Sequence, residues 1–192
     1  MACSRLPRVI LLGYLFDAMS LILVTPLSAL PDLLRTYQPS HLISLLSPEF
    51  MIETPGGFPV DRHLRLALHD IPEHQDGKVV PDEVHVAALL GFARGWDAKR
   101  PLIVHCWAGV SRSMASAFAI LCDRSRRGDE HRIACEIRSR APHAEPNRLM
   151  VRHADTLLRR NGAMIAAVEQ MGPGIVVEEG VPVAFGLEDL GL

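Results

Sequence analysis

Apolar residues fall in short clusters along the chain, separated by polar and turn-forming stretches. Four clusters read as strands: 21–25 (LILVT), 41–46 (HLISLL), 64–68 (LRLAL) and 102–105 (LIVH). Each is short and rich in apolar residues, as parallel strands covered on both faces should be. Elsewhere the apolar period lengthens to that of a helix. The segment 28–37 (SALPDLLRTY) follows the first strand. The segment 81–96 opens on Pro81, carries Asp82 and Glu83 in its first turn, and has Val86, Leu89, Leu90 and Ala93 as an apolar stripe. After Arg112 the pattern is most regular. Met114, Ala117, Phe118, Leu121 and Cys122 recur at helical spacing, so Cys122 is expected as a small buried hydrophobe. Further helices are predicted over 129–138, 147–160 and 163–171. Gly and Pro crowd the stretch from Gly172, which predicts an irregular tail over 172–192. Alternating strands and helices imply an α/β domain with a mostly parallel central sheet flanked by helices.

The N-terminal region is apolar over 9–30, with Arg5 and Arg8 upstream. Asp17 and Pro26 break it into two pieces, each too short to span a bilayer. The second piece is the first strand. Residues 1–18 therefore read as an extension before a domain spanning 19–171.

Composition narrows the partners. The chain has 192 residues, 48% hydrophobic and 22% charged, and a net charge of −2. That balance gives no global attraction to nucleic acid or an anionic membrane. Any anionic ligand must be held by a local site. Cys3, Cys106, Cys122 and Cys135 form no CxxC pair and no zinc-ligand spacing. They read as reduced thiols of a cytoplasmic protein, with no metal or cofactor implied.

The local site is the stretch "PLIVHCWAGVSRSMASAFAILC" (101–122). A strand ends at Cys106, the chain turns through 106–112, and a helix begins. A tight loop feeding a helix N-terminus gathers backbone N–H groups, and the helix dipole adds positive potential. Gly109 lets the backbone turn and approach a ligand. Arg112 adds a planar fork that matches two oxygens of a tetrahedral oxyanion. The amides of Trp107, Ala108, Gly109, Val110, Ser111 and Arg112 are thus expected to bind phosphate. A thiolate is favoured where amides and a guanidinium converge, which makes Cys106 a nucleophile. Ser113 can donate to the sulfur. His105 can orient the loop carbonyls and influence the thiol, or be purely structural.

These residues, "HCWAGVSRS", resemble the His-Cys-x5-Arg-Ser/Thr signature of the cysteine-dependent protein tyrosine phosphatases, in particular the compact dual-specificity-type and bacterial members. A second stretch, "APHAEPNRLMVRHADTLL" (141–158), resembles the Pro-Asn helix start downstream of that signature. The resemblance covers roughly residues 20–170. It implies a cysteinyl-phosphate intermediate, no metal, and a general-acid Asp on an upstream loop. Its substrate would be a phosphorylated protein or a small phosphomonoester.

The upstream loop lies within 66–84, where Asp70, Asp76 and Asp82 compete. Asp82 also fits a helix start, and Asp76 precedes Gly77 as in a turn. Asp70 directly follows the strand 64–68, where the family places its acid. His69 and His74 are alternatives, each also readable as a solvated loop histidine. Two departures stand out. The aromatic recognition loop of larger tyrosine-specific members has no clear counterpart here: Tyr37 and Trp96 read as core or helix-surface residues, and Trp107 as pocket rim. The loop also lacks the lysines of lipid-directed relatives, which argues against a highly charged inositide. The basic run 123–140 reads as a solvated helix face. Rival readings are a small-molecule phosphatase, a catalytically weak phospho-binding module, and a sulfur-transfer enzyme with a persulfide on Cys106.

Overall fold

A computed structural model describes residues 20–192. The reading of residues 1–18 as an extension falls outside them. The strands are β1 (Leu21–Pro26), β2 (His41–Leu46), β3 (His63–Ala67), β4 (Leu102–Cys106) and β5 (Val183–Gly186). They form one sheet in the order β3-β2-β4-β1-β5. The first four run parallel, and β5 lies antiparallel to β1. Register sets Pro26 beside Cys106 and Val104 between Val24 and Ile43. The loops that follow β1, β2, β3 and β4 therefore leave from one edge, the carboxyl ends of the strands, where open α/β sheets bind ligands.

The helices are α1 (Leu30–Tyr37), α2 (Glu83–Arg94), α3 (Arg112–Arg124), α4 (Glu130–Arg140), α5 (Arg148–Leu157) and α6 (Ala163–Met171). Alternation along the strands divides the core in two. Ile22, Val24, Ile43, Leu45, Leu102, Val104 and Cys106 join the cluster built with α2 to α6. Leu23, Leu42 and Ile103 face the opposite side, where Leu30, Leu33 and Leu34 of α1 cover them. Helix α3 is the centre of the larger cluster. Every residue from Arg112 to Cys122 is buried. Each large apolar side chain so buried stabilises the fold by about 1.5–3 kcal/mol. The helix is thus fixed from several sides, and so is the loop at its N-terminus. Cys122 lies in this core, where burial pushes its thiol pKa up.

Two expectations are corrected. The tail over 172–192 is not irregular throughout. It adds β5 to the sheet and ends in a short turn of helix over Glu188–Leu190, with Phe185, Leu187 and Leu190 buried. Strand-like Val-Ala-Phe-Gly is only four residues long and sits among glycines and a proline, so its pattern was too short to read. The basic run 123–140 is also more than a solvated face. Arg138 donates to the carbonyls of Pro142 and Gly172 at 2.6 and 2.7 Å, and Arg140 donates to Ala184 O at 3.1 Å. Arg124 donates to Ala93 O and Trp96 O, with its guanidinium 4.8 Å from the centre of the buried Trp96 ring. These arginines fasten the tail and the α2 C-terminus. Among the described residues, no helix is long and apolar enough to cross a membrane.

Candidate active site

The loop from Cys106 to Arg112 closes because Gly109 takes a φ of +71°, a conformation that L side chains rarely adopt. Space demands glycine as well. A Cβ there would lie 2.7 Å from Pro26 N. The β1 end thus packs directly on the turn of the loop. Ser111 precedes the first turn of α3, yet its side chain makes no capping bond. The first amides of α3 are left to the loop concavity.

Within that concavity, Gly109 N–H donates to Cys106 Sγ at 3.2 Å, and Ser113 Oγ stands 3.2 Å from the same sulfur. Arg112 is buried, and its NH1 donates to Leu68 O at 2.6 Å. This bond fixes the guanidinium to the end of the β3 segment. Its Nε has no hydrogen-bond partner and faces Asp70 Oδ2 at 3.6 Å. Asp70 Oδ1 accepts from Ser111 Oγ at 2.6 Å and from Asn147 Nδ2 at 2.9 Å. Cys106, Arg112 and Asp70 line one pocket of about 340 Å³, with Leu46, Ser47, Phe50, Trp107, Ala108, Val110 and Ser111.

The other acid candidates lie elsewhere. Asp82 caps α2: its carboxylate accepts from His85 N–H at 2.9 Å, and His85 Nδ1 accepts from Asp82 N–H at 3.3 Å. Asp76 is fully exposed beside His74, before Gly77 with its φ of +72°. His69 is not a solvated loop histidine. It is buried, its Nδ1 accepts from Val79 N–H at 2.9 Å, and its Nε2 lies 3.3 Å from Glu49. It clasps the loop that carries Asp70 and ties it to the segment that carries Phe50.

His105 is wholly buried. Its Nδ1 lies 3.4 Å from Cys106 O, and its Nε2 is 2.5 Å from Ser44 Oγ. Ser44 Oγ is 2.7 Å from His63 Nε2, and His63 Nδ1 is 3.0 Å from Thr54 Oγ1. One direction satisfies every group: Thr54 donates to His63, His63 to Ser44, Ser44 to His105, and His105 to the Cys106 carbonyl. Burial pushes both histidines down to a pKa of about 4, so both are neutral near pH 7. His105 therefore acts on the loop through a hydrogen bond and not through a charge. Stability should follow. Between pH 6.5 and 4 the unfolded chain protonates these histidines and the folded one does not. Stability falls with pH across that window, and His105 alone accounts for a loss on the order of 3 kcal/mol. Urea unfolding at stepped pH measures it. A flat profile between pH 6.5 and 4.5, together with an unchanged slope in His105→Gln, would refute the neutral chain.

Some site residues left no signal in the sequence. Phe50, on the loop after β2, packs against Trp107 with ring centres 5.1 Å apart and planes tilted by 53°. Both rings are about half exposed at the pocket mouth. Asn147 was legible as the start of a helix, and its side-chain oxygen caps that helix by accepting from Leu149 and Met150 N–H. Its amide nitrogen reaching Asp70 was not legible. Among the described residues, no three His, Cys, Asp or Glu side chains gather as a metal site.

Neither a protein-family model nor a curated protein matches the chain. Solved structures do. The crystal structure of DUSP15 is 19% identical over 83% of this chain and 91% of its own, with a TM-score of 0.52. PTPMT1, solved in complex with PI(5)P, is 18% identical over 74% of this chain and 90% of its own, with a TM-score of 0.53. A human protein named tyrosine phosphatase-like serine/threonine/tyrosine-interacting protein is 20% identical over 69% of this chain and 84% of its own, with a TM-score of 0.51. The chain therefore shares its fold with these solved structures, DUSP15 and PTPMT1 among them.

Proposed function

We propose that the protein is a metal-independent phosphatase that hydrolyses phosphomonoesters, with protein phosphotyrosine as its substrate class. The observation that carries this reading is the convergence of Cys106 and Arg112, from the two ends of loop 106–112, with Asp70 of the loop after β3 in one pocket. The loop amides and Arg112 bind the phosphoryl oxygens. Cys106 thiolate attacks phosphorus as the bond to the ester oxygen breaks. Asp70 Oδ2 delivers a proton to that oxygen, since Oδ1 is already engaged by Ser111 and Asn147. Water then attacks the cysteinyl phosphate. Asp70 takes the water proton, the S–P bond breaks, and the Ser113 hydroxyl steadies the departing sulfur.

Phe50 and Trp107 support an aromatic ester. Their rings wall the mouth of the pocket, and aromatic contacts of this kind contribute about 0.5–1.5 kcal/mol beyond burial. Among the described residues, Arg112 is the only cation lining the pocket, which disfavours a polyphosphorylated inositide. The fold by itself does not decide activity, because one neighbour is named phosphatase-like. The deciding experiment is turnover of a phosphotyrosyl peptide, a phosphoseryl peptide and inositol phosphates, with and without a chelator. The phosphotyrosyl peptide should be turned over fastest, with no effect of chelator. Phe50→Ala should raise KM for it about 2- to 10-fold and change kcat little. Faster turnover of an inositol phosphate would move the substrate class. Binding of phosphopeptide without turnover would identify a recognition module.

A further inference from the structure

The tail does more than extend the sheet. Between α6 and β5 it crosses the outside of the loop as a strap, residues 172–182. Gly180 N–H donates to Ala108 O at 2.8 Å. Ala108 C=O and Gly109 N–H belong to the same planar peptide unit and point in opposite directions. Holding the carbonyl outward therefore aims Gly109 N–H inward, and that N–H donates to Cys106 Sγ at 3.2 Å. The strap also touches the other supports of the loop. Gly174 N–H donates to Glu145 Oε2 at 2.6 Å, and Glu145 N–H donates to Val110 O at 3.0 Å. Glu179 Oε1 accepts from Ser28 Oγ at 2.5 Å, one residue from Leu27, whose N–H donates to Trp107 O at 3.1 Å.

We propose that this strap is a positioning element of the loop: Gly180 orients the Ala108–Gly109 peptide, so strap docking and oxyanion binding are coupled. The proposal rests on the reading of loop 106–112 as the phosphate site. The strap suits such a role. Val176 is 97% exposed, and Ile175 and Val181 are exposed too. It is held by a few scattered hydrogen bonds and little apolar burial, which makes its local opening cheaper than unfolding of the core. Its seat is nonetheless tight. A Cβ on Gly180 would lie 2.5 Å from His143 Nε2, and a Cβ on Gly174 would lie 2.8 Å from the carbonyl oxygens of His143 and Ala144. Coupling is reciprocal: oxyanion in the loop must hold the strap down, and an unseated strap must weaken oxyanion binding.

Amide hydrogen exchange of the full chain with and without vanadate tests the first half. Saturating vanadate should slow exchange over 174–182 along with the loop amides. The second half uses Gly180→Ala, whose methyl group cannot coexist with the buried His143 ring while ring and strap stay where they stand. Vanadate affinity should fall by roughly 5- to 150-fold, and adding His143→Ala should recover most of it by making room. Thermal melts of both variants separate folding from binding, and the exchange result stands if Gly180→Ala does not fold. Slowed loop amides with an unchanged strap would overturn the coupling and leave the phosphate site standing. So would a lower melting temperature in Gly180→Ala with unchanged vanadate affinity. Vanadate that slows neither region would overturn the phosphate-site reading and the coupling with it.

Discussion

Replacing Cys106 with serine is expected to abolish turnover, on the order of 10⁴-fold or more, while phosphate and vanadate still bind. The serine hydroxyl is a far weaker nucleophile than a thiolate at neutral pH. The oxyanion site does not depend on the sulfur. Arg112 is held by Leu68 O, and the loop carbonyls are fixed by Leu27, Gly180 and Glu145. Saturating vanadate should also shield the wild-type thiol from alkylation, because both compete for one concavity. Near wild-type activity in a clean Cys106→Ser preparation would end the covalent mechanism. Equal alkylation of Cys106 with and without vanadate would end the assignment of the loop.

Asp70→Asn is expected to act in proportion to how poor the leaving group is. An aryl phosphate with an acidic phenol expels its phenolate unaided. A tyrosine-like phenol needs a proton. The substitution keeps the shape and an oxygen that accepts from Ser111 and Asn147, and it removes only the proton. It should slow the tyrosine-like substrate by about 10²–10⁴ and the activated one much less. The alkaline limb of the pH–rate profile, which reports loss of that proton, should flatten. Asp82→Asn is the control, since asparagine caps a helix about as well as aspartate and Asp82 lies at the α2 start. Leaving-group dependence at Asp76 would move the acid while sparing the nucleophile. Its absence at all three positions would favour the binding module.

The elements nearest the site were legible because each carries its signal in side chains. Strand 102–105 is apolar on both faces, Gly109 and Arg112 punctuate the loop, and α3 repeats its apolar residues at helical spacing. Asp70 stood out by position alone, just past a strand. What stayed hidden acts through backbone or through distance. Gly180 contributes an N–H, which any residue but proline supplies, so its identity says nothing of its partner. Ser44 is an isolated polar position inside β2 and His63 opens β3 after Asp61 and Arg62, and only pairing across β2, β3 and β4 links them to His105. Phe50 lies in a stretch with no periodicity, 57 positions before Trp107, against which it packs. The resemblance to a signature named the loop. It did not name the parts that hold the loop in place.

The aromatic wall also equips the protein with its own optical probe. The chain has two tryptophans. Trp96 is 2% exposed, its indole N–H bonded to Arg100 O, and it lies far in character from the solvent. Trp107 is 53% exposed at the pocket mouth. Collisional quenchers in solution reach the second and spare the first. Emission that a quencher removes is therefore emission from the pocket rim, and a ligand seated there screens it. Occupancy of the pocket can be followed in the unlabelled protein through a single indole, one residue after Cys106.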